Sequence, residues 1–159
     1  MFTAPRLSKK ESKNIEYKVL QQYLAEKNID PKTSKDISEA VSDIRRTKLP
    51  DPKKIGNAGS FFKNVFVSSE KLNELLNLYP AMPYFEEMEK IKIPSAWLIE
   101  QCGWKGKRIG NIGVHDKQAL VLVNHGEGNG AELKKLSDDI IDSVFVKFGL
   151  KMTIEVNLV

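Results

Sequence analysis

The last thirty residues of the chain place a helical pattern directly before a strand pattern. Apolar residues recur at helical spacing from residue 131 to 148, and Gly149 follows as a stop signal. From residue 152 to 158, apolar and polar residues alternate instead, as they do in a strand with one buried face. A helix and a strand that must each bury one face favour a layered fold in which they pack together. The apolar stripe of the helix is Leu133, Leu136, Ile140 and Val144.

Helical and strand patterns also interleave upstream. Residues 118–124, QALVLVN, are apolar on both faces, which is typical of a central strand covered on both sides. The stretch NVFVS predicts a short strand, and the polar segment 79–94 with its three prolines is predicted as a long loop without internal structure. Further helices are predicted over 16–26 and 34–46, from Ser69, and from Pro94 or Ser95. The sequence therefore predicts an α+β fold, with a small sheet of about three strands packed with four or five helices.

A chain of 159 residues fits one domain that buries a core. Residues 1–14 have no apolar periodicity and are predicted to be a loose segment, followed by one domain over 15–159. No apolar run reaches the ~18–20 residues of a membrane span, and the first residues have no apolar signal core. The single cysteine, Cys102, fits a reducing compartment. We therefore expect a cytoplasmic protein with no membrane partner.

The positive charge of the chain is concentrated at one end. Residues 1–54 carry 13 Lys and Arg against 8 Asp and Glu, a net +5, whereas residues 55–159 carry 12 against 13, a net −1. A surplus of this size suits a small anionic ligand or solubility alone. Nucleic acid is not the expected partner, because the chain has no arginine-rich run.

Several self-contained chemistries are absent from the sequence. The two histidines, His115 and His125, have no partner at metal-ligand spacing, so no metal site is predicted. There is no phosphate loop of the GxxxxGK[ST] type, and GKRIGNIG at 106–113 lacks the strand–glycine–helix order of a dinucleotide fingerprint.

Polar residues set among apolar ones remain as candidates, each with an ordinary structural alternative. Ser60 lies in the glycine turn of GNAGSFFKN, residues 56–64, where backbone approaches a ligand closely, but a turn serine also bonds its own backbone. On spacing alone, Glu155 is predicted to be a solvated strand carboxylate, Lys48 and Lys105 are predicted to be solvated lysines, and Tyr84 is predicted to be an ordinary loop aromatic. Spacing alone does not reveal the function.

Four blocks of sequence are more specific than spacing. They are RRTKLPDPKKIGNAGSFFKN at 45–64, AWLIEQCGWKG at 96–106, VHDKQALVLVN at 114–124 and IEVNLV at 154–159. In this order they resemble the UDP-N-acetylenolpyruvoylglucosamine reductases, the MurB family of peptidoglycan synthesis. The chain departs from the family pattern at Val65, where the family has proline, and at Lys18, where it has glycine.

The resemblance implies a three-domain flavoenzyme of which this chain is the third, substrate-binding domain. FAD would be bound by domains outside this chain, NADPH would be the reductant, and the fragment alone would be inactive. The substrate would be UDP-N-acetylglucosamine enolpyruvate. Ser60 matches the family's proton donor, and Glu155 matches the glutamate that stabilises the enolate.

The resemblance also implies a set of substrate contacts and an expected monomer. A non-catalytic module that binds UDP-sugars is the alternative, although pure binding needs no proton donor at Ser60. The implied substrate-binding residues are Tyr17, Lys48, Asn64, Tyr84, Lys92, Lys105 and Gln118.

Overall fold

The computed structural model describes residues 17–87 and 90–157. By its internal contacts the chain divides into two compact units, residues 1–48 and residues 49–159. The segment 1–14, predicted to be loose, lies outside the described residues. The prediction of one domain over 15–159 stays a prediction.

The first unit contains a pair of helices, α1 (Lys18–Glu26) and α2 (Ser34–Lys48). The start of α2 is fixed by a reciprocal cap. The Thr33 hydroxyl accepts a hydrogen bond from the Asp36 amide (3.3 Å), and the Asp36 carboxylate accepts one from the Thr33 amide (2.8 Å). Both helices are amphipathic, as the sequence predicts. Their buried residues are Leu20, Leu24, Ala40 and Ile44.

The described part of the second unit contains a four-stranded and a three-stranded antiparallel sheet. The strands are β1 (Gly56–Ser60), β2 (Val65–Val67), β3 (Phe85–Glu87), β4 (Lys90–Ile93), β5 (Arg108–Ile109), β6 (Ile112–Val114) and β7 (Val121–Asn124). The strand order is β1-β7-β6-β5 in the larger sheet and β2-β4-β3 in the smaller one. Val121, Leu122 and Val123 are buried in the interior strand β7, which confirms the predicted central strand.

The helices of the second unit are α3 (Ser69–Leu78), α4 (Ser95–Gln101) and α5 (Gly130–Phe148). A capping box between Asn129 and Glu132 starts α5, and Gly149 ends it in the left-handed conformation, with φ 65°. The apolar stripe of α5 packs into one core with α4 and with Phe61 and Phe62, which follow β1. The α+β class is confirmed.

The segment 79–94 corrects the sequence-based expectation, because it is not a loop without structure. It contains the β3–β4 pair, and β4 also pairs with β2. Ile91 and Ile93 alternate with Lys90 and Lys92, so β4 has a strand period that the nearby prolines obscured.

The C-terminal segment shows the alternating burial of the predicted strand but forms little strand pairing. Met152, Ile154 and Val156 are buried or half-buried, and the residues between them are exposed. The described residues of this segment make a single bridge, between Phe62 and Ile154. Among the described residues, no helix has the length and apolar character that crossing a lipid bilayer requires.

Candidate functional site

Ser60 lies at the surface on a buried aromatic anchor. It is the last residue of β1 and pairs with Val121 of β7. The next two residues, Phe61 and Phe62, are 2% and 1% exposed, and their rings meet edge to face with 5.2 Å between centroids. Burial of the two rings fixes the chain directly after Ser60, while the Ser60 side chain stays exposed.

Glu155 reaches the same place from the C-terminal segment. Its amide donates to the Phe61 carbonyl (2.8 Å), and the Lys63 amide donates to the Thr153 carbonyl (2.9 Å). These two bonds flank the Phe62–Ile154 bridge and form a short antiparallel crossing. Glu155 therefore lies across from Phe61, one residue from Ser60, although 95 positions of sequence separate the two. Both side chains are exposed.

Gln118 comes to this point on a third segment. The Phe61 amide donates to the Leu120 carbonyl (2.7 Å), and the Val121 amide donates to the Gln118 carbonyl (3.0 Å). The half-buried Gln118 side chain turns back and accepts from the Leu120 amide (3.5 Å). The structure thus joins Ser60, Gln118 and Glu155 through backbone bonds around one buried phenylalanine. We call these three residues with Phe61 the serine corner.

Asn64 has a structural contact of its own. Its side-chain oxygen accepts from the Ser95 amide at the start of α4 (3.1 Å), and the fully buried Ser95 hydroxyl donates to the Lys63 carbonyl (2.7 Å). A ligand contact by Asn64 would therefore come from the amide nitrogen of its side chain. Val65, the next residue, opens β2 and leads into the three-stranded sheet.

Lys92 lies on the middle strand of the three-stranded sheet between two exposed aromatic rings. Phe66 of β2 and Phe85 of β3 are its direct cross-strand neighbours. Its ammonium group is 5.5 Å from the centre of the Phe85 ring and forms an ion pair with Glu87. Tyr84, 43% exposed, comes immediately before β3.

Lys105 follows α4 and is also paired with a carboxylate. Its ammonium nitrogen lies 2.9 Å from Oε1 of Glu100, and both side chains are a little over a third exposed. An anionic ligand would have to share or displace Glu100 to bind this lysine.

Tyr17 and Lys48 belong to the first unit. Tyr17 is 66% exposed and caps α1, where its carbonyl accepts from the Leu20 and Gln21 amides (2.9 and 3.1 Å). Lys48 is the exposed last residue of α2.

The described residues offer no metal centre, and their glycine-rich segment does not begin a helix. No group of three His, Cys, Asp or Glu residues within 17–87 and 90–157 is placed to hold a metal. The glycine-rich segment 106–113 forms the β5–β6 hairpin, so no helix begins there to receive a pyrophosphate. His115 and His125 line one pocket together with Gly106 and Arg108.

The sequence analysis did not identify the carboxylates and the amide that contact the candidate lysines and the turn before Ser60. Glu87 and Glu100 are ion-paired with predicted ligand lysines, and Asn57 organises the turn before Ser60. An asparagine two residues before a glycine is a recognisable turn signal, so Asn57 could have been found. The two ion pairs depend on hairpin and turn geometry that the sequence did not reveal.

The chain is similar to a family of known proteins over most of its length. A family model described as UDP-N-acetylenolpyruvoylglucosamine reductase, C-terminal domain, matches residues 51–159. Reductases of that name from Flavobacterium johnsoniae and Porphyromonas gingivalis are 45% and 46% identical to it, over 97% and 100% of this chain. One from Chromobacterium violaceum is 45% identical over 92% of this chain. The chain spans about half the length of these relatives, from 43% to 47%.

Proposed function

Since the chain belongs to the UDP-N-acetylenolpyruvoylglucosamine reductase family, we propose that it is the substrate-binding domain of a flavin-dependent reductase of this kind. The proposed reaction reduces the enolpyruvyl ether of UDP-N-acetylglucosamine enolpyruvate to the lactyl ether of UDP-N-acetylmuramic acid, for peptidoglycan synthesis. One observation carries the proposal. The bond from the Glu155 amide to the Phe61 carbonyl supports it, because residue 155 lies beside the neighbour of residue 60 and these two positions match the family's catalytic residues.

Ser60 is the proposed proton donor. Reduction adds a hydride to the terminal methylene carbon, and charge then builds on the neighbouring carbon beside the substrate carboxylate. That carbon needs a proton from a group held at fixed geometry. A serine hydroxyl is a weak acid, but it suffices for so basic a partner. The buried phenylalanines after Ser60 support such placement.

Glu155 and the remaining candidate residues have proposed binding roles. Glu155 stabilises the enolate across the corner from Ser60. The lysines and amides suit the diphosphate and uracil of the substrate, because each supplies hydrogen-bond donors to anionic or carbonyl oxygens. The proposed substrate contacts are Tyr17, Lys48, Asn64, Tyr84, Lys92, Lys105 and Gln118.

We propose FAD and NADPH as cofactors only because the chain belongs to this family. FAD supplies the hydride chemistry when bound, and the proposal assigns its binding to residues other than those described here. The chain by itself is therefore expected to be colourless and inactive as a reductase. We also propose that the chain is a cytoplasmic monomer with no nucleic-acid or membrane partner.

A non-catalytic UDP-sugar-binding module is the second candidate. It is favoured by one observation, that Lys48, Asn64 and Lys105 are all exposed and could bind a UDP-sugar without a flavin. Such a module would use the lysines and amides but would have no need of a hydroxyl placed beside Glu155. Kinetics of a Ser60 variant separate the two candidates.

Binding is tested on the chain itself. Titration with UDP-N-acetylglucosamine, followed by NMR, should shift amide signals at Lys48, Asn64, Lys105 and Gln118, with a dissociation constant of about 0.1–10 mM. Lys105→Met should weaken binding, whereas Lys71→Met, which removes a lysine paired with Glu74 on α3, should not. Shifts confined to residues 1–14, or none at saturating ligand, would count against the site.

The proton-donor role is tested in the reductase that contains this chain. Ser60→Ala should leave flavin reduction by NADPH nearly intact, because that half-reaction places no proton on carbon. Reoxidation by the enolpyruvyl substrate should slow by several orders of magnitude, because the developing carbanion loses its positioned acid. Equal slowing of both half-reactions would mean that Ser60 only shapes the turn.

A further inference from the structure

Asn57 connects three points of the backbone around the turn that carries Ser60. Its side-chain oxygen accepts from the Gly59 amide (3.0 Å). Its side-chain nitrogen donates to the carbonyls of Ile55 (3.0 Å) and Pro50 (3.3 Å). A single half-buried amide therefore ties the proline segment, the start of β1 and the residue before Ser60 to one another.

The turn that Asn57 holds is irregular. Asn57 pairs with Val123 and Ser60 pairs with Val121. Between these two pairs the chain advances three residues along β1 but only two along β7, so β1 contains one extra residue. The extra residue is accommodated by Gly59, whose φ of 75° lies in the left-handed region. Because side chains alternate along a strand, one extra residue reverses the face on which every later side chain lies. The irregularity between Asn57 and Ser60 thus decides the direction of the serine hydroxyl.

We infer that Asn57 is the positioning residue for Ser60, and this inference rests on the proposed function of Ser60 as proton donor. Its side-chain amide fixes the irregular turn, and the turn aims the hydroxyl. An asparagine is required because the site needs one acceptor and two donors on the same planar group. An aspartate would keep the acceptor for Gly59 but would set a carboxylate oxygen against the carbonyls of Ile55 and Pro50.

The first experiment is a double-mutant cycle in the reductase that contains this chain. Asn57→Asp should slow reoxidation by the enolpyruvyl substrate by about 100-fold, the typical consequence of a misplacement near 1 Å. Flavin reduction by NADPH and the substrate dissociation constant should change less than about twofold, because neither depends on the direction of the hydroxyl. In the Ser60→Ala background, Asn57→Asp should cause no further slowing, because no hydroxyl is left to position.

The second experiment needs no enzyme activity. In this chain, Asn57→Asp should shift the NMR signals of Ser60 and Gly59 and speed exchange of the Gly59 amide with solvent. Asn129→Ala is the matched control. It removes another asparagine whose side-chain oxygen accepts from a backbone amide (Glu132, 3.0 Å), but at the start of α5. That control should leave the Ser60 signals and the reoxidation rate unchanged.

If Asn57→Asp fails to fold, Gly59→Ala replaces it. A methyl group at Gly59 meets nothing within 4 Å, so the substitution strains only the turn itself. Gly59→Ala should slow reoxidation by the enolpyruvyl substrate. As with Asn57→Asp, it should cause no further slowing when Ser60 is already alanine. Additive losses in either cycle, or an unchanged reoxidation rate with unchanged Ser60 signals, would overturn the assignment of Asn57. Absence of enolpyruvyl reduction in the unsubstituted reductase would instead overturn the proposed function.

Discussion

The serine corner and two ion-paired lysines of the second unit, Lys92 and Lys105, are held in place by different means. Backbone hydrogen bonds from three segments meet at Phe61, which is 2% exposed, and they fix the chain at the corner. Lys92 and Lys105 are held instead by ion pairs between side chains that are roughly a quarter to a half exposed. The corner is therefore rigid by construction, whereas each lysine is held by a contact that solvent weakens.

This difference matches the two tasks in the proposed function. A proton donor must be aligned to a fraction of an ångström, and buried rings with backbone bonds provide that. A lysine that binds a diphosphate acts as a mobile point charge, and a partly exposed ion pair leaves the lysine able to exchange its carboxylate partner for the ligand.

The largest effect is expected from removal of the buried anchor. Phe62→Ala should lower the free energy of unfolding by ~3–5 kcal/mol, because a ring that is 1% exposed leaves a cavity in the core. Urea unfolding of the chain measures the change. Phe66→Ala is the control on the exposed sheet, where a 48% exposed ring should cost about 1 kcal/mol or less. Equal losses for the two variants would remove the distinction between the regions.

A smaller effect is expected at Lys105, where the substitution should increase ligand affinity. Glu100→Gln should raise the affinity for UDP-N-acetylglucosamine by about two- to fivefold, because Lys105 no longer has a carboxylate to release. The free energy of unfolding should change by about 0.5 kcal/mol or less. Isothermal titration at low salt measures the affinity.

Glu74→Gln is the matched control for that experiment. Glu74 pairs with Lys71 at 2.9 Å, the same distance as the Glu100–Lys105 pair, on a helix that carries no proposed ligand contact. It should leave the affinity unchanged. A gain of the same size in both variants would mean that net charge alone, and not release of Lys105, increases the affinity.

The smallest effect is a pH dependence at Cys102, at the end of α4. Burial raises the pKa of this thiol above its usual range, and the nearby Lys147 lowers it by less. A raised pKa in the folded state contributes stability below the ordinary thiol pKa. That stability is lost as pH rises, because the unfolded chain releases its proton first.

Alkylation rates of Cys102 against pH test this directly. The midpoint, the pH at which the alkylation rate is half its maximum, should be higher in the folded chain than in the chain unfolded in urea. In Phe62→Ala the midpoint should move back toward the ordinary value, because a loosened core admits water to the packed end of α4. A midpoint that is the same in all three samples would contradict burial as the cause.

The sequence alone predicted the elements that depend on local signals. The stripe of α5 with Gly149 as its stop is present, and so is the central strand predicted over 118–124, which the structure forms over Val121–Asn124. Each depends on the period of apolar residues or on a single stop residue, and such signals act within one helix or strand. The α+β class follows from their order along the chain.

The tertiary structure decided which distant residues meet. Nothing local in IEVNLV indicates that Glu155 bonds to the chain beside Ser60, because this contact needs the Phe62–Ile154 bridge across 92 positions. The β3–β4 hairpin was likewise missed, because nearby prolines obscured the strand period of β4 and because these short strands depend on pairing, β3 with β4 and β4 with β2. The sequence by itself identified the serine, the glutamine and the glutamate as candidate residues. The meeting of a serine, a glutamine and a glutamate at one corner was set by backbone hydrogen bonds that only the folded chain can form.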